Sequence, residues 1–293
     1  MRFADVAKLR DRVSTFDLSE LDTGLSPQGA RLALDSALSA LSDAALSGVQ
    51  AMGGEPFSTA TVVCARTVFT APLELCAVLL GRGTHVTLKY PRDAPGISLK
   101  LAAAATALDL PLTATDRYDA TFDADLVIAM GSDSTVEEIA TGLAPGVRLV
   151  GFGHRFSAAW ITSEQSWTDV AVDLAHHDSR GCMTPGVILS PLPAAADGLA
   201  AAMAAAQARW PVGEIAPIEG ALLRSRGALA LAAGTLRSGP GWAVHGLQAA
   251  HLEPLALPRA PILVAAPNVA AAVTILGPFA PWLSTIGTDE PST

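Results

Sequence analysis

The sequence predicts an α/β fold with a parallel sheet, and three observations support this prediction. Short, β-rich apolar runs recur from Thr61 onward, Ala/Leu-rich stretches long enough for helices separate them, and hydrophobic residues make up 50% of the chain. This alternation is typical of βαβ units. The strand candidates are TVVCART, HVTLKYP, DLVIAMG and RLVGFG, followed by GVILSP after Cys182.

Length and charge narrow the class of protein. With 293 residues the chain can bury a sizeable core, and two domains are expected. Charged residues are only 16% of the chain, which argues against intrinsic disorder. The net charge of −9, without a strong Lys/Arg cluster, disfavours binding to nucleic acid and to anionic lipid.

Cysteine usage points to a reducing compartment. Cys64, Cys76 and Cys182 are an odd number and lack CxxC or Cys/His metal spacing, so no metal site is predicted. The first residues, MRFADVAKLRDRV, lack the apolar stretch of a signal peptide. A cytoplasmic location is the expectation.

Residues 1–55 are predicted to form an N-terminal helical segment. Leu34, Leu38 and Leu41 recur at helical spacing, and the sequence GGEP breaks the pattern at residues 53–56. The strand and helix alternation then occupies residues 56–177, and a domain boundary is expected near residue 178.

The last part of the chain continues the α/β pattern. Helices are predicted over 194–209 and 220–236, a Gly/Pro-rich turn (SGPGW) follows, and strands are expected around 243–257 and 261–266. Residues 260–287 carry no charge and are long enough to span a bilayer. Prolines break this stretch into short pieces, so it is interpreted as a buried strand, a turn and a helix, with no membrane span.

The segment HDSRGCMTPGVILS places Cys182 in a short loop between a predicted helix and a strand. A lone cysteine is more often a small buried hydrophobe, and Cys64 and Cys76 fit that interpretation. Cys182 differs because loops position reactive groups and because His176, His177 and Arg180 could favour its thiolate.

Gly131 and Ser132 directly follow the strand DLVIAM and open the helix STVEEIA. This arrangement places backbone N–H groups and the positive end of a helix where a pyrophosphate could bind. The same arrangement is also ordinary punctuation in α/β proteins.

The order of five segments resembles the aldehyde dehydrogenase superfamily, and most specifically the LuxC-type acyl-CoA (fatty acid) reductases. The resemblance runs from about residue 60 to 287 and implies an aldehyde-dehydrogenase-like fold. A Rossmann-type nucleotide-binding domain (56–177) and an α/β catalytic domain (178–293) are then expected. The segments are TAPLELCAVLLGRGTHVTLKYPRDAP, DLVIAMGSDSTVEEIA, GFGHRFSAAWI, DSRGCMTP and NVAAAVTILGPFAPWLSTIG.

The resemblance implies cofactor-binding roles for several residues. Lys89 matches the lysine that contacts the adenosine ribose or its 2′-phosphate, although it also suits a solvent lysine at a strand end. Arg92 stands where many NAD-preferring relatives have a ribose-binding glutamate, so NADPH is expected over NADH. Glu253 matches the glutamate that holds the nicotinamide ribose, and it also suits an ordinary surface position.

One departure from the family concerns water. Hydrolysing relatives place a water-activating glutamate where this chain has the sequence VGFGH around Gly151. Without that base, a thioester on Cys182 would persist and exchange with coenzyme A. His154 becomes a candidate acid/base residue, and a purely structural histidine is the alternative.

Two further departures leave an alternative open. The asparagine that helps the oxyanion hole falls at about Thr70, and a lost donor of this kind can cost about 3 kcal/mol. The chain also stops at Thr293, earlier than the resemblance predicts for the catalytic domain. A catalytically impaired partner or binding subunit with the same fold is therefore the second hypothesis.

The leading hypothesis is NADPH-dependent reduction of a fatty acyl-CoA to the aldehyde through an acyl-cysteine at Cys182. Coenzyme A would enter as part of the substrate. The resemblance also implies a homo-oligomer, or a complex with a partner that transfers the acyl group.

Overall fold

The chain divides into two compact units. The computed structural model describes residues 2–117 and 124–290. Unit 1 consists of Met1–Thr23 and Arg31–His154, and unit 2 consists of Gly24–Ala30 and Arg155–Thr293.

Three helices occupy the N-terminal region, and a five-stranded α/β layer follows them. Phe3 of the first helix lies over Gly81, where an added Cβ would meet the phenylalanine ring at 2.3 Å. This close approach joins the N-terminal helix to the α/β layer. The elements are α1 (Phe3–Ser14), α2 (Pro27–Ala40), α3 (Asp43–Ala51), β1 (Thr59–Val63), α4 (Ala71–Gly81), β2 (His85–Lys89), α5 (Ser98–Thr106), β3 (Leu112–Thr115), β4 (Leu126–Met130), α6 (Asp133–Gly142) and β5 (Arg148–Phe152).

The sheet of unit 1 is parallel, with strand order β3-β2-β1-β4-β5. The order in which strands are added reverses at β1. The chain first adds β2 and β3 on one side of β1, and then adds β4 and β5 on the other side. This is the doubly wound arrangement, in which ligands bind outside the carboxyl ends of the strands. The predicted strands HVTLKYP, DLVIAMG and RLVGFG are all present, and β3 was not predicted.

Unit 2 contains a six-stranded sheet with order β11-β6-β7-β10-β9-β8. All neighbouring strands are parallel except the β8–β9 hairpin. The elements are β6 (Phe156–Trp160), α7 (Trp167–Ala175), β7 (Pro185–Ser190), α8 (Ala195–Arg209), α9 (Pro217–Ala233), β8 (Thr235–Gly239), β9 (Trp242–Gly246), β10 (Ile262–Ala265), α10 (Val269–Leu276) and β11 (Leu283–Thr288).

The central strands of unit 2 are buried on both faces. On β7, Val187 and Leu189 face one apolar cluster while Ile188 faces the other. The same alternation places Ile262 and Leu263 of β10 in opposite clusters. A sheet covered on both sides needs apolar residues at consecutive positions, which explains runs such as GVILS.

The unit boundary lies at His154/Arg155, whereas the sequence placed it at 177/178. The difference arises because β6 pairs with β7 and β11, so residues from 155 onward belong to the second sheet. Two other expectations need correction. Residues 235–239 form β8 and not the end of a helix, and residues 260–287 contain a second strand, β11, after the predicted strand and helix.

Within the described residues no single helix is long and apolar enough to cross a membrane. The bent pair α2 and α3 meets the length and composition requirement only when both helices are taken together.

Candidate active site

Cys182 lies in the loop between α7 and β7, at the amino end of the second sheet. It is exposed, and its neighbour Met183 is also exposed, at 65%. The helix before the loop ends at Ala175 and the strand after it begins at Pro185, so a short segment presents the thiol.

The other two cysteines are buried. Burial raises the pKa of the Cys64 thiol to about 11, although a hydrogen bond with Ser98 acts in the opposite direction. Burial also raises the pKa of Cys76 well above its ordinary value. Cys182 is therefore the cysteine that solvent can reach.

Three consecutive residues before Cys182 adopt the left-handed backbone conformation. The φ angles are 48° at His177, 52° at Asp178 and 63° at Ser179, and none of the three is glycine. Each such residue costs about 1–2 kcal/mol. Ser179 offsets part of this cost, since its Oγ donates to the carbonyl oxygen of Leu174 at 2.8 Å.

Asp178 and Arg259 form a fully buried ion pair, with 0% and 1% of their surfaces exposed. Nε and Nη2 of Arg259 lie 2.8 and 2.7 Å from Oδ1 of Asp178. Oδ2 of Asp178 accepts a hydrogen bond from the Gly213 backbone at 2.9 Å. The carboxylate therefore connects the cysteine loop to two distant segments of unit 2.

Arg180 anchors the same loop to the start of α9. Its Nε and Nη2 donate to the two carboxylate oxygens of Glu219, each at 2.8 Å. Nη2 also donates to the carbonyl oxygen of Glu214 at 2.6 Å. The two parallel hydrogen bonds fix the orientation of the guanidinium as well as its position.

These contacts change the electrostatic argument made from the sequence. Burial lowers the pKa of His176, and burial together with His176 lowers the pKa of His177 to about 4. Both imidazoles are thus neutral at pH 7. Because the charge of Arg180 is engaged by Glu219, the expected cluster of free positive charge around Cys182 is not formed by these three side chains.

Ser157 is a residue in contact with the Cys182 backbone that sequence reasoning did not identify. Its Oγ donates to the carbonyl oxygen of Cys182 at 2.6 Å, and the side chain is buried. The β6–β7 register shifts at this point, since Ser157 pairs with Pro185 and Ala158 pairs with Val187. The contact joins β6 to the loop that precedes β7.

In unit 1, Lys89 ends β2 and is half-buried, while Arg92 follows in an exposed turn. Arg92 Nε lies 3.4 Å from a carboxylate oxygen of Asp116. Both cations are at the carboxyl edge of the first sheet, the edge at which doubly wound proteins bind nucleotides.

Gly131, Ser132 and His154 lie together at this same edge. Ser132 is the N-cap of α6, since its hydroxyl accepts from the Thr135 N–H at 3.1 Å. The backbone N–H of His154 donates to Oδ1 of Asp133 at 2.9 Å. The predicted strand, glycine and helix start are thus present, and His154 is an exposed residue beside them.

Gly151 is an exposed strand residue on β5, and one side chain of α6 lies close to it. An added Cβ would meet Cγ1 of Val136, on α6, at 2.5 Å. A larger residue at this position would require the Val136 side chain to shift.

Thr70 and Glu253 are the two remaining predicted site residues. Thr70 is buried immediately before α4. Glu253 is exposed in the segment between β9 and β10. That segment is held by Arg226, whose Nη2 donates to the carbonyl oxygen of Leu255 at 2.7 Å.

The sequence was compared with protein families and with curated protein sequences. Residues 98–293 match the sequence pattern of the LuxC acyl-CoA reductase family. Curated protein sequences give no significant match.

Solved structures of aldehyde dehydrogenases share the fold over the whole chain. An NAD-dependent benzaldehyde dehydrogenase from Corynebacterium glutamicum is 12% identical, with a TM-score of 0.72 and coverage of 99% of this chain and 80% of that one. Aldehyde dehydrogenase C from Pseudomonas syringae, solved with NAD+ and octanal, is 13% identical, with a TM-score of 0.70 and coverage of 99% and 76%. A Sinorhizobium meliloti aldehyde dehydrogenase is 15% identical, with a TM-score of 0.69 and coverage of 99% and 71%.

Proposed function

The chain belongs to the LuxC acyl-CoA reductase family and has the aldehyde dehydrogenase fold, and from this premise we propose that it reduces a fatty acyl-CoA to the aldehyde with NADPH. The proposed intermediate is a thioester on Cys182. The observation that carries this proposal is the accessibility of Cys182, the exposed one of three cysteines, on a loop fixed by contacts on both sides.

In the first step the Cys182 thiolate attacks the carbonyl carbon of the acyl-CoA. A bond forms between Sγ and that carbon, and the coenzyme A thiolate leaves with the electron pair of the old thioester bond. The hydrogen bond from Ser157 holds the Cys182 carbonyl and so fixes the backbone from which the thiol projects. The thioether of Met183, exposed beside the thiol, offers apolar contact to an acyl chain.

Unit 1 supplies the residues proposed to hold NADPH. Lys89 and Arg92 offer positive charge at the carboxyl edge of the first sheet, and the start of α6 after Gly131 offers N–H groups. A 2′-phosphate would compete with Asp116 for Arg92. When bound, NADPH supplies the hydride that reduces the thioester carbon, and the Cys182 thiolate is the leaving group. Glu253 is proposed to hold the nicotinamide ribose, and His154 and Thr70 stay candidates for proton transfer and oxyanion contact.

Water should be a poor acceptor for the acyl group. Gly151 carries no carboxylate that could activate water, and a general base typically supplies about a hundred- to ten-thousandfold in rate. The acyl group should therefore leave to hydride or return to coenzyme A. The assignment of the chain to a reductase family favours this enzyme over the impaired-partner hypothesis.

The test is an activity assay with graded substrates. Butyryl-, octanoyl- and palmitoyl-CoA are supplied with NADPH, and aldehyde formation is measured together with NADPH oxidation. We expect aldehyde with at least one substrate, loss of activity in Cys182→Ala, and normal activity in Cys76→Ala, which changes a buried cysteine. Equal activity in both variants would overturn the proposed nucleophile.

A further inference from the structure

We propose that the buried Asp178–Arg259 pair is a positioning device that sets the conformation of the loop carrying Cys182, and through it the rate of acyl transfer to the thiol. This inference rests on the proposed function in its second half. The first half concerns the loop alone and is testable without any substrate.

Arg259 uses nearly all of its hydrogen-bonding capacity inside unit 2. Besides Asp178, its Nη1 donates to the carbonyl oxygen of Trp210 at 2.6 Å, and its Nη2 lies 3.4 Å from the carbonyl oxygen of Ala175. Ala175 is the last residue of α7, the helix that leads into the cysteine loop. Arg259 therefore holds both the end of the helix and the first part of the loop.

The loop needs a stabilising contact because its local sequence does not favour its backbone conformation. Left-handed conformations at three consecutive non-glycine residues are unfavourable, and they persist only where the surroundings over-determine them. The middle residue of the three is Asp178, whose carboxylate is the partner of Arg259. The ion pair therefore acts on the middle residue of this left-handed run.

A displacement of Asp178 should also move Cys182, because the two residues are close in the chain. Only Ser179, Arg180 and Gly181 separate the two residues, and the Arg180 N–H closes a turn onto the carbonyl oxygen of His177 at 3.0 Å. Acyl transfer requires the attacking sulfur to be held in reach of the carbonyl carbon, and a displacement of about 1 Å can cost a hundredfold in rate. Alkylation by a small, freely diffusing reagent has no such requirement.

Gly213 connects the Asp178 carboxylate to the chain segment at Gly24. Its N–H donates to Asp178, and an added Cβ would meet the carbonyl oxygen of Gly24 at 2.2 Å. No side chain fits between these backbones. The acceptor carboxylate is thus held from a rigid, closely packed position.

The test removes both charges of the pair together. The double variant Asp178→Asn/Arg259→Gln leaves no orphaned buried charge, so it is expected to fold, which circular dichroism checks. The matched control is Asp197→Asn/Arg237→Gln, which removes an exposed pair of unit 2 with a 2.6 Å contact. Each protein is tested for hydrogen exchange of the loop peptides, for alkylation of Cys182 by iodoacetamide, and for acylation of Cys182 by palmitoyl-CoA.

We expect the double variant to show faster exchange in residues 176–184, an alkylation rate within about threefold of wild type, and an acylation rate reduced about ten- to a hundredfold. The control should match wild type in all three measurements. A merely structural pair would change the exchange rate but leave acylation of the folded protein at the wild-type rate, and that result would overturn the proposal.

Unchanged loop exchange would also overturn it, whatever the activity. If wild-type protein is not acylated by palmitoyl-CoA or by shorter acyl-CoAs, the proposed function fails. The exchange measurement still decides whether the pair sets the loop conformation.

Discussion

The hydroxyl of Ser157 donates a hydrogen bond to the carbonyl oxygen of Cys182 at 2.6 Å. These two residues lie 25 positions apart in the chain and come together because β6 and β7 are neighbours in the sheet. The contact holds the backbone carbonyl of the proposed nucleophile itself, whereas the Asp178–Arg259 pair acts on an earlier residue of the same loop. It also lies where the β6–β7 register shifts.

Replacing Ser157 with alanine should slow acylation of Cys182 by about tenfold, because the carbonyl oxygen loses its donor and the loop gains freedom. The free energy of unfolding should fall by about 1 kcal/mol. Single-turnover acylation and denaturant unfolding measure the two effects. Ser238→Ala, an exposed serine of β8, is the control. An unchanged acylation rate in Ser157→Ala would show that the contact is not used.

Iodoacetamide at pH 8 should label Cys182 in the folded protein and leave Cys64 and Cys76 unlabelled. Burial blocks access to both, and the pKa of about 11 keeps Cys64 in the thiol form. Peptide mass spectrometry identifies the labelled site, and denatured protein, labelled at all three cysteines, is the control. Labelling of Cys64 or Cys76 as fast as Cys182 would contradict the assignment of the accessible thiol.

NADPH should bind more tightly than NADH, and Arg92→Glu should remove the preference. A charge-assisted contact to the 2′-phosphate contributes about 1.5–3 kcal/mol, and the exposure of Arg92 places the effect near the lower value, about tenfold in the dissociation constant. Calorimetric titration with both nucleotides measures it. Arg12→Glu, on the exposed surface of α1, makes the same charge change elsewhere. Equal affinities in the wild-type protein would exclude this role.

Stability should fall as the pH is lowered from about 6.5 to 4. Burial and the charge of Arg226 lower the pKa of His245 to about 4, below the value of about 6.5 expected in the unfolded chain. Protons therefore bind the unfolded state first, and the stabilisation present above pH 6.5 is lost as the pH falls.

Replacing His245 with glutamine should reduce the slope of unfolding free energy against pH by up to about 1.4 kcal/mol per pH unit in this window. Urea unfolding at a series of pH values gives that slope. His251→Gln, at an exposed position of the same unit, is the control. A slope in His245→Gln equal to that of the wild type would contradict the assignment.

Local signals in the sequence predicted part of the fold. The start of α6 follows from a strand, a glycine and a serine that caps the helix, and all these features lie within a few residues. The helix α8 ends at Arg209, where it was predicted to end. Cys182 was identified as the reactive candidate because its position in a loop can be read from the residues next to it.

Features that depend on distant pairing were not predicted. Strand β6 is completely buried, yet its sequence FSAAW gains strand character only beside β7 and β11. The pair Asp178–Arg259 joins residues 81 positions apart. The available signal was the arginine inside the apolar run LALPRAPILVA. An arginine is almost never fully buried unless it is paired, so burial of this run implies a partner for Arg259.

The central claim is that Cys182 carries the acyl group, and intact-protein mass spectrometry of a single turnover tests it most directly. The protein is mixed with palmitoyl-CoA in the absence of NADPH, and NADPH is added later. We predict one palmitoyl adduct, absent in Cys182→Ala, which persists without NADPH and is released as aldehyde when NADPH is added. The absence of an adduct on Cys182, or rapid release of free fatty acid without NADPH, would contradict the account.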